Sequence, residues 1–351
     1  MLNPATFLVM NLAICAILWV GGLQVNVGAL TQGEVMAFVN YMTQTLLSII
    51  YVANLVVVFT KAGASAGRIL EVLDCEPGIR SGADAAIEPD EHAEFAIALR
   101  DASFAYPGSM VNAVDHVTLE LPRGGTLGII GGTGSGKSTL VSLVPRLHEV
   151  TSGSVEVLGR DVRAWDLDAL RRQVGFVPQK AELVSGTIRS NLTWRDPSAT
   201  DADLWFALET AQAREFVAAL PLGLDAPVEA GGKNFSGGQR QRLTIARALV
   251  GSPRIIVMDD SASALDFKTD ASLRAAIRGL ACAKGAPCGD PTTVIVSQRV
   301  SSVRDADLIC VMRHGSAVGV GTHEELLSSC DIYREICVSQ LGLGEGATSH
   351  A

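Results

Sequence analysis

Positive charge is scarce in this chain. Lys and Arg number 28 against 37 Asp and Glu in 351 residues, a formal net charge of -9, and no Lys or Arg precedes Lys61. Phosphate backbones are held chiefly by Lys and Arg, so this balance argues against nucleic acid as a partner. Metal-ligand spacing is missing too: the seven cysteines, at 15, 75, 282, 288, 310, 330 and 337, are scattered and odd in number. Cys282 and Cys288 flank a Gly/Pro-containing loop that a bridge would close, but free thiols in a reducing cytosol are the preferred reading. No internal repeat or low-complexity tract is visible.

The region without positive charge is strongly apolar. Ala5–Gly21 and Val35–Thr60 are uncharged runs, each long enough to cross a hydrocarbon core as a helix, and mean hydropathy over the chain is +0.29. Gly22–Glu34 between them lacks Lys and Arg, whereas Lys61 and Arg68 follow. The positive-inside rule puts the turn outside and everything after Lys61 in the cytoplasm. A signal peptide would begin with positive charge and would not lead into a second span. Asn40, Gln44, Ser48 and Tyr51 share one helical face of the second span. Helix packing and a substrate path explain that polar stripe equally well.

Ala62–Asp74 reads as a helix leading away from the membrane. A linker with Pro77, Gly78, Gly82, Pro89 and several acids separates it from an alternating strand pattern at Ile97–Phe104. The expected division is a membrane-spanning domain over 1–75, a linker over 76–95, an α/β domain over 96–341 and a fraying tail over 342–351. Within the third segment, Val117, Leu119 and Leu121 alternate on a strand. Leu127–Ile130, Val174–Val177, Ile255–Met258 and Thr293–Val296 are short apolar runs between helical stretches. That order reads as a parallel sheet covered on both faces. Leu308–Met312 and Ser316–Val320 form a final hairpin, and Thr322 with Glu325 starts a helix as a capping box.

The organising stretch is Gly131, Gly132, Thr133, Gly134, Ser135, Gly136, Lys137 and Ser138, followed by Thr139 and an apolar-periodic helix. Strand, glycine-rich turn and helix in that order make a phosphate loop. The glycines let successive N–H groups converge on one anion, beside the positive end of the helix dipole. Lys137 would reach the terminal phosphates, and Ser138 would offer its hydroxyl to Mg2+. Downstream, the Ile255–Met258 strand runs into Asp259 and Asp260. The first acid is placed to hold Mg2+ through its water shell, the second to polarise an attacking water. Ser236 with Gln239 is a capping box at the head of a helix carrying Leu243, Ala246 and Leu249. Gly237 and Gly238 leave N–H groups bare there, which also makes an anion site.

The phosphate loop, the Asn234–Gln239 stretch, the strand ending in acids and Ser263–Asp266 together resemble the ATP-binding cassette of ABC transporters. The two spans resemble the last two of six helices in an exporter-type membrane domain. The resemblance implies a membrane α-helical hairpin followed by an α/β P-loop NTPase domain that binds ATP and Mg2+. It matches Tyr106 to the aromatic that stacks on adenine, and Gln179 to the glutamine that touches Mg2+ and senses the membrane domain. It matches Ser236, Gly237, Gly238 and Gln239 to the signature that grips ATP held by the opposite cassette, and Asp266 to the acid crossing between sites.

Two positions depart from the family pattern. Asp260 stands where the family usually has a glutamate base, and Gln298 where it has the switch histidine. A misplacement of about 1 Å can cost on the order of a hundredfold in rate, and glutamine cannot carry a proton. ATP is therefore expected to bind at this chain's own loop and turn over slowly, while the intact signature completes a partner's site. The expected assembly is a heterodimeric exporter in the plasma membrane, with this chain as the carboxyl-terminal part of one half-transporter and Met1 as an internal methionine or a late start. Its surroundings would be lipid, its cargo a small molecule, lipid or peptide. A homodimer with two slow sites and a membrane-tethered ATP-binding regulator are the competing readings. A soluble cassette conflicts with the two spans.

Overall fold

The computed structural model describes residues 2–76, 78–82, 85, 87–261, 266–282 and 291–341. Two compact units divide the chain between Gly78 and Ile79.

In the first unit, α1 (Leu2–Asn26) and α2 (Gln32–Leu73) form a hairpin. The turn between them uses Gly28 at φ +75°, and α2 starts on a reciprocal box in which Thr31 N donates to Glu34 Oε2 at 2.7 Å and Glu34 N to Thr31 Oγ1 at 3.3 Å. Close approach is set by Gly21, where a Cβ would stand 2.7 Å from Val35 Cγ1. The partly covered positions Val39, Thr43, Leu46 and Ile50 continue the face that begins at Val35. Asn40, Gln44, Ser48 and Tyr51 are all exposed, so the polar stripe lies off that packed face. Both helices are long and apolar enough to cross a membrane, with mean hydropathies of 2.1 and 1.8 over their most apolar 18 residues.

The second span and the helical extension after it form one element, α2, which runs for 42 residues without interruption. Gly63 and Gly67 cost helix propensity without removing a hydrogen bond, and no proline intervenes. At 1.5 Å per residue α2 is about 63 Å long, roughly twice a hydrocarbon core.

The second unit opens with β1 (Phe95–Phe104) and β2 (Val114–Pro122), then β3 (Thr126–Gly131) and α3 (Lys137–Ser142). Next come β4 (Ser152–Val157), β5 (Arg160–Asp161), α4 (Leu167–Gln173) and β6 (Val174–Val177). A mainly helical stretch follows: β7 (Gly186–Thr187), α5 (Ile188–Leu192), α6 (Asp201–Thr210), α7 (Arg214–Ala218), β8 (Pro227–Val228) and α8 (Gly237–Leu249). The remainder is β9 (Ile255–Asp259), α9 (Phe267–Cys282), β10 (Thr292–Ser297), α10 (Val300–Val303), β11 (Leu308–Arg313), β12 (Ser316–Gly321), α11 (His323–Ser329) and α12 (Asp331–Leu341).

The central sheet has the order β12-β11-β3-β10-β9-β6. β11, β3, β10, β9 and β6 are mutually parallel, and β12 folds back antiparallel on β11. Its strands bury both faces. Leu127, Ile129 and Val257 point into one apolar cluster with Leu140 of α3, while Ile130, Ile256 and Met258 point into another with Leu243 of α8 and Tyr333 of α12.

The alternating strand at Val117–Leu121 does not join this sheet. It belongs to a separate antiparallel sheet, β2-β1-β4-β5, which lays its apolar side over the first cluster. The physical distinction was in the pattern: continuous apolar runs suit strands covered on both faces, whereas alternation suits an antiparallel sheet with one face outward. Cys288, Ser263 and the 342–351 tail lie outside the described residues, as does the side chain of Cys282. Cys15, Cys75, Cys310, Cys330 and Cys337 are free thiols.

Candidate functional site

The parallel strands β3, β10, β9 and β6 end along one edge, and that edge gathers the polar residues picked from the sequence. In the register, Gly131 closes β3, Ser297 lies beside Ile130, Val296 beside Asp259 and Met258 beside Val177. Gln298, Asp260 and Gln179 are the next residues or nearly so on neighbouring strands. Crevices beyond the carboxyl ends of parallel strands are where open α/β sheets bind ligands.

The turn from β3 to α3 needs glycine for steric reasons. A Cβ at Gly131 would stand 2.3 Å from Met312 O. At Gly136, φ is +96° and a Cβ would stand 2.3 Å from Ala113 O. Gly136 is the cap residue of α3 and supplies no side-chain cap, so the first N–H groups of the helix are left for an anion. Lys137 arches back over the turn, its Nζ donating to Gly131 O at 2.8 Å, Gly132 O at 2.7 Å and Ser135 Oγ at 3.3 Å.

Ser138 and Asp259 meet across β10, the Ser138 Oγ donating to Asp259 Oδ1 at 2.9 Å. Asp260 has φ +44°, a left-handed conformation costing on the order of 1–3 kcal/mol in a non-glycine residue. Its N–H donates to Val296 O at 3.0 Å, and Gln179 Nε2 makes a long 3.4 Å contact to its Oδ2. Burial pushes the Asp259 carboxyl up, with the Asp260 charge adding to the effect and Ser138 and Lys137 opposing it. Burial also raises Asp260, against Gln179, Lys137 and Arg299. The Lys137 ammonium is drawn down by burial, against both carboxylates.

These groups fit a nucleotide and its magnesium. Hard oxygen donors suit Mg2+, which takes one or two protein ligands plus phosphates rather than a closed cage. Among the described residues no three His, Cys, Asp or Glu gather around a common point, so Ser138 and Asp259 are the pair suited to it. A cation beside them would also relieve the crowding of the two carboxylates.

A cleft of about 410 Å3 runs along the loop, lined by Tyr106, Asn112, Gly134, Lys137, Thr139 and His314 among others. Tyr106 is fixed there by its hydroxyl, 3.1 Å from Thr139 Oγ1. Its ring packs edge-on against Phe104 and His148, with centroids 5.0 and 5.3 Å away, and remains 43% exposed. Sequence reasoning gave the β11–β12 hairpin but missed that its turn reaches the phosphate loop. There Gly315 N donates to Ser135 O at 3.1 Å and Gly315 O accepts from Asp115 N at 2.9 Å. His314-Gly315, both at positive φ, was the available signal for a tight hairpin turn, but nothing local said what the turn would touch.

Ser236, Gly237, Gly238 and Gln239 do not line that cleft. They form the start of α8, where the capping box is present: Ser236 N donates to Gln239 Oε1 at 2.9 Å and Gln239 N to Ser236 Oγ at 3.3 Å. Asp266 caps α9 by accepting from Thr269 N and Thr269 Oγ1, both at 2.9 Å. Gln298 is exposed just past β10.

Fold and loop together define a phosphate-loop nucleotide-binding domain of the α/β class. Residues 114–263 match the family model described as ABC transporter, and this part of the chain is an ABC transporter ATP-binding domain. An uncharacterized ABC transporter ATP-binding protein of Mycobacterium tuberculosis is 40% identical over 340 residues, covering 96% of this chain and 57% of that protein. The ATP-dependent lipid A-core flippase of Desulfotalea psychrophila is 33% identical over 326 residues, covering 93% and 55%. Among solved structures, that of a bacterial Atm1-family ABC exporter with ATP bound aligns at a TM-score of 0.75 and 25% identity, covering 96% of this chain and 58% of that one. The chain spans a little over half the length of each.

Proposed function

We propose that this chain is the ATP-binding and permease subunit of an ABC exporter, working beside a second, non-identical half-transporter. Residues 1–75 would form a partial membrane domain that crosses the plasma membrane at about 5–21 and 35–60 and continues as a helical extension on the cytoplasmic side, 76–95 would link, and 96–341 would bind nucleotide there. Its cargo would be a small amphiphile, lipid or peptide, and kinship with a lipid A-core flippase supports an amphiphilic one.

One observation carries the asymmetric reading. Both departures from the family pattern, Asp260 and Gln298, fall at the ends of adjacent strands β9 and β10, while the Ser236–Gln239 start of α8 is complete. In this reading the N–H groups of the loop and Lys137 hold the phosphates, and Ser138 with Asp259 holds Mg2+. Bound Mg2+ would neutralise charge between phosphates and orient them. Asp260, pinned through Val296 and Gln179, is one methylene short of a glutamate's reach. Gln298 can hydrogen-bond but not move a proton. ATP is then retained longer than it is split. The Ser236 hydroxyl, while accepting from Gln239 N, keeps its own proton to donate to ATP held by the partner.

The test is ATP turnover by the full chain alone and with a candidate second half-transporter. Activity should appear only in the pair, and Ser236→Ala should lower it more than Asp260→Asn. Slow turnover by the chain alone would favour the homodimer with two slow sites, and brisk turnover by it would overturn the asymmetric reading. Tight ATP binding with no nucleotide-dependent substrate movement in the reconstituted pair would favour a regulator.

A further inference from the structure

The segment carrying Gln298 is held from the far end of the chain. Tyr333, Cys337 and Gln340, at steps of four and three residues, share one face of α12. Tyr333 and Cys337 are fully buried. The Tyr333 hydroxyl lies 2.8 Å from His323 Nδ1 at the head of α11, and the two rings pack edge-on at 5.7 Å. Anchored in this way, α12 projects Gln340 to the end of β10. The Gln340 Nε2 donates to Gln298 O at 2.7 Å, and its Oε1 accepts from Val300 N at 2.9 Å. One side-chain amide thus closes a two-point clamp across Arg299.

The clamp has work that local structure leaves undone. α10 has only four residues, and its N-cap residue Arg299 makes no side-chain cap hydrogen bond. A helix that short does not hold itself, and its orphan N–H at Val300 takes its partner from a residue 40 positions away. On its other side α10 is seated against β3, where a Cβ at Gly128 would stand 2.6 Å from Val303 Cβ. β3 runs directly into the phosphate loop. The backbone at Gln298 is therefore fixed between a seat on the loop's own strand and a clamp from the last helix.

We propose that Gln340 is a positioning residue for nucleotide turnover. Through the backbone of Gln298 and Val300 it sets where the side chain at 298 stands relative to Asp260, which makes α12 a control point of that site. The role of the site itself rests on the ATPase reading above. The chemistry is specific to a carboxamide: a carboxylate accepts but cannot donate, an ammonium donates but cannot accept, and asparagine is one methylene short.

The clamp is tested first without nucleotide, by amide hydrogen exchange over 298–303 in the full chain in lipid nanodiscs. Gln340→Ala should speed exchange at Val300 roughly two- to tenfold, as expected for one lost hydrogen bond. Gln340→Glu keeps an acceptor and should retain most of that protection. Unchanged exchange in Gln340→Ala overturns the clamp, and ATP plays no part in that result. The second arm uses a Gln298→His background, with the partner present, to return a titratable group to the position. There Gln340→Ala should lower the kcat gained over the otherwise unaltered pair about three- to tenfold with KM for ATP held, and Gln340→Glu should give a similar loss because the backbone carbonyl at 298 is released. A kcat unchanged by Gln340→Ala overturns the positioning role. Absence of any turnover in that background counts against the ATPase reading instead, and exchange alone then decides the clamp.

Discussion

Two helices in the nucleotide-binding domain begin in opposite ways. α3 starts from Gly136, a residue with no side chain, at φ +96° and without a side-chain cap. α8 starts from Ser236, whose box with Gln239 satisfies donors at both of its ends. The first leaves its N–H groups open and surrounds them with Lys137, Ser138 and Asp259, so its polarity is directed at something outside the protein. The second is stable in itself and keeps only the Ser236 proton and the Gly237 and Gly238 N–H groups to spare. An open start demands a ligand, whereas a closed one tolerates waiting for a ligand brought by another molecule. That difference is what an asymmetric pair would need: one surface that retains nucleotide and one lent across an interface.

The comparison breaks most decisively at the open start. Lys137→Ala removes the ammonium that bridges Gly131 O and Gly132 O and would otherwise reach phosphate. Charged hydrogen bonds contribute about 1.5–3 kcal/mol each, so losing two of them should weaken ATP binding roughly 100-fold or more, measured by equilibrium titration of the full chain. Melting temperature should change far less, since the lysine is drawn down by burial rather than held by a buried salt bridge. Unaltered ATP affinity would mean that α3 is not the nucleotide's anchor.

A smaller effect is expected at the closed start, and it separates the cap from the function. Asp and Ser are equally good N-caps, so Ser236→Asp should leave the melting temperature nearly unchanged. An ionised aspartate has no proton to donate, however, and adds a negative charge where the partner's phosphate would come. ATP turnover of the assembled pair should fall roughly 10- to 100-fold. Loss of stability with normal turnover would reduce the Ser236–Gln239 start to a plain helix cap.

Both starts were legible in the sequence because each is a local pattern. A glycine-rich turn between an apolar strand and a periodic helix, and a serine three residues before a glutamine, carry their reasons within a few residues. Thr322 with Glu325 was readable for the same cause, and its box is present at 2.8 and 3.4 Å. Thr31 with Glu34 has the same spacing and passed unread, though the signal was there. What the pattern did not carry was partnership over long separations. Alternation at Val117–Leu121 told of a half-covered strand but not of a second sheet. The His314-Gly315 turn looked like any hairpin until its backbone met Ser135. Gln340 on α12 has no local mark at all, because its two partners lie about 40 residues upstream and are backbone atoms, which every sequence has.

The smallest effect sharpens the comparison most finely. Gln239→Ala removes only the arm of the box that reaches back to Ser236 N, and leaves Ser236 Oγ accepting from the backbone N–H at 239. Losing that arm should cost about 0.5–1 kcal/mol, a drop of roughly 1–4 °C in melting temperature for a domain of this size. The cleft along α3 is lined by none of the residues from Ser236 to Gln239, so ATP affinity of the isolated chain should stay where it was. If affinity fell together with stability, the two helix starts would be coupled through the central sheet, which carries the core around Leu140 of α3 on one face and that around Leu243 of α8 on the other, and a weakness in the lent surface would then be felt at the nucleotide this chain holds for itself.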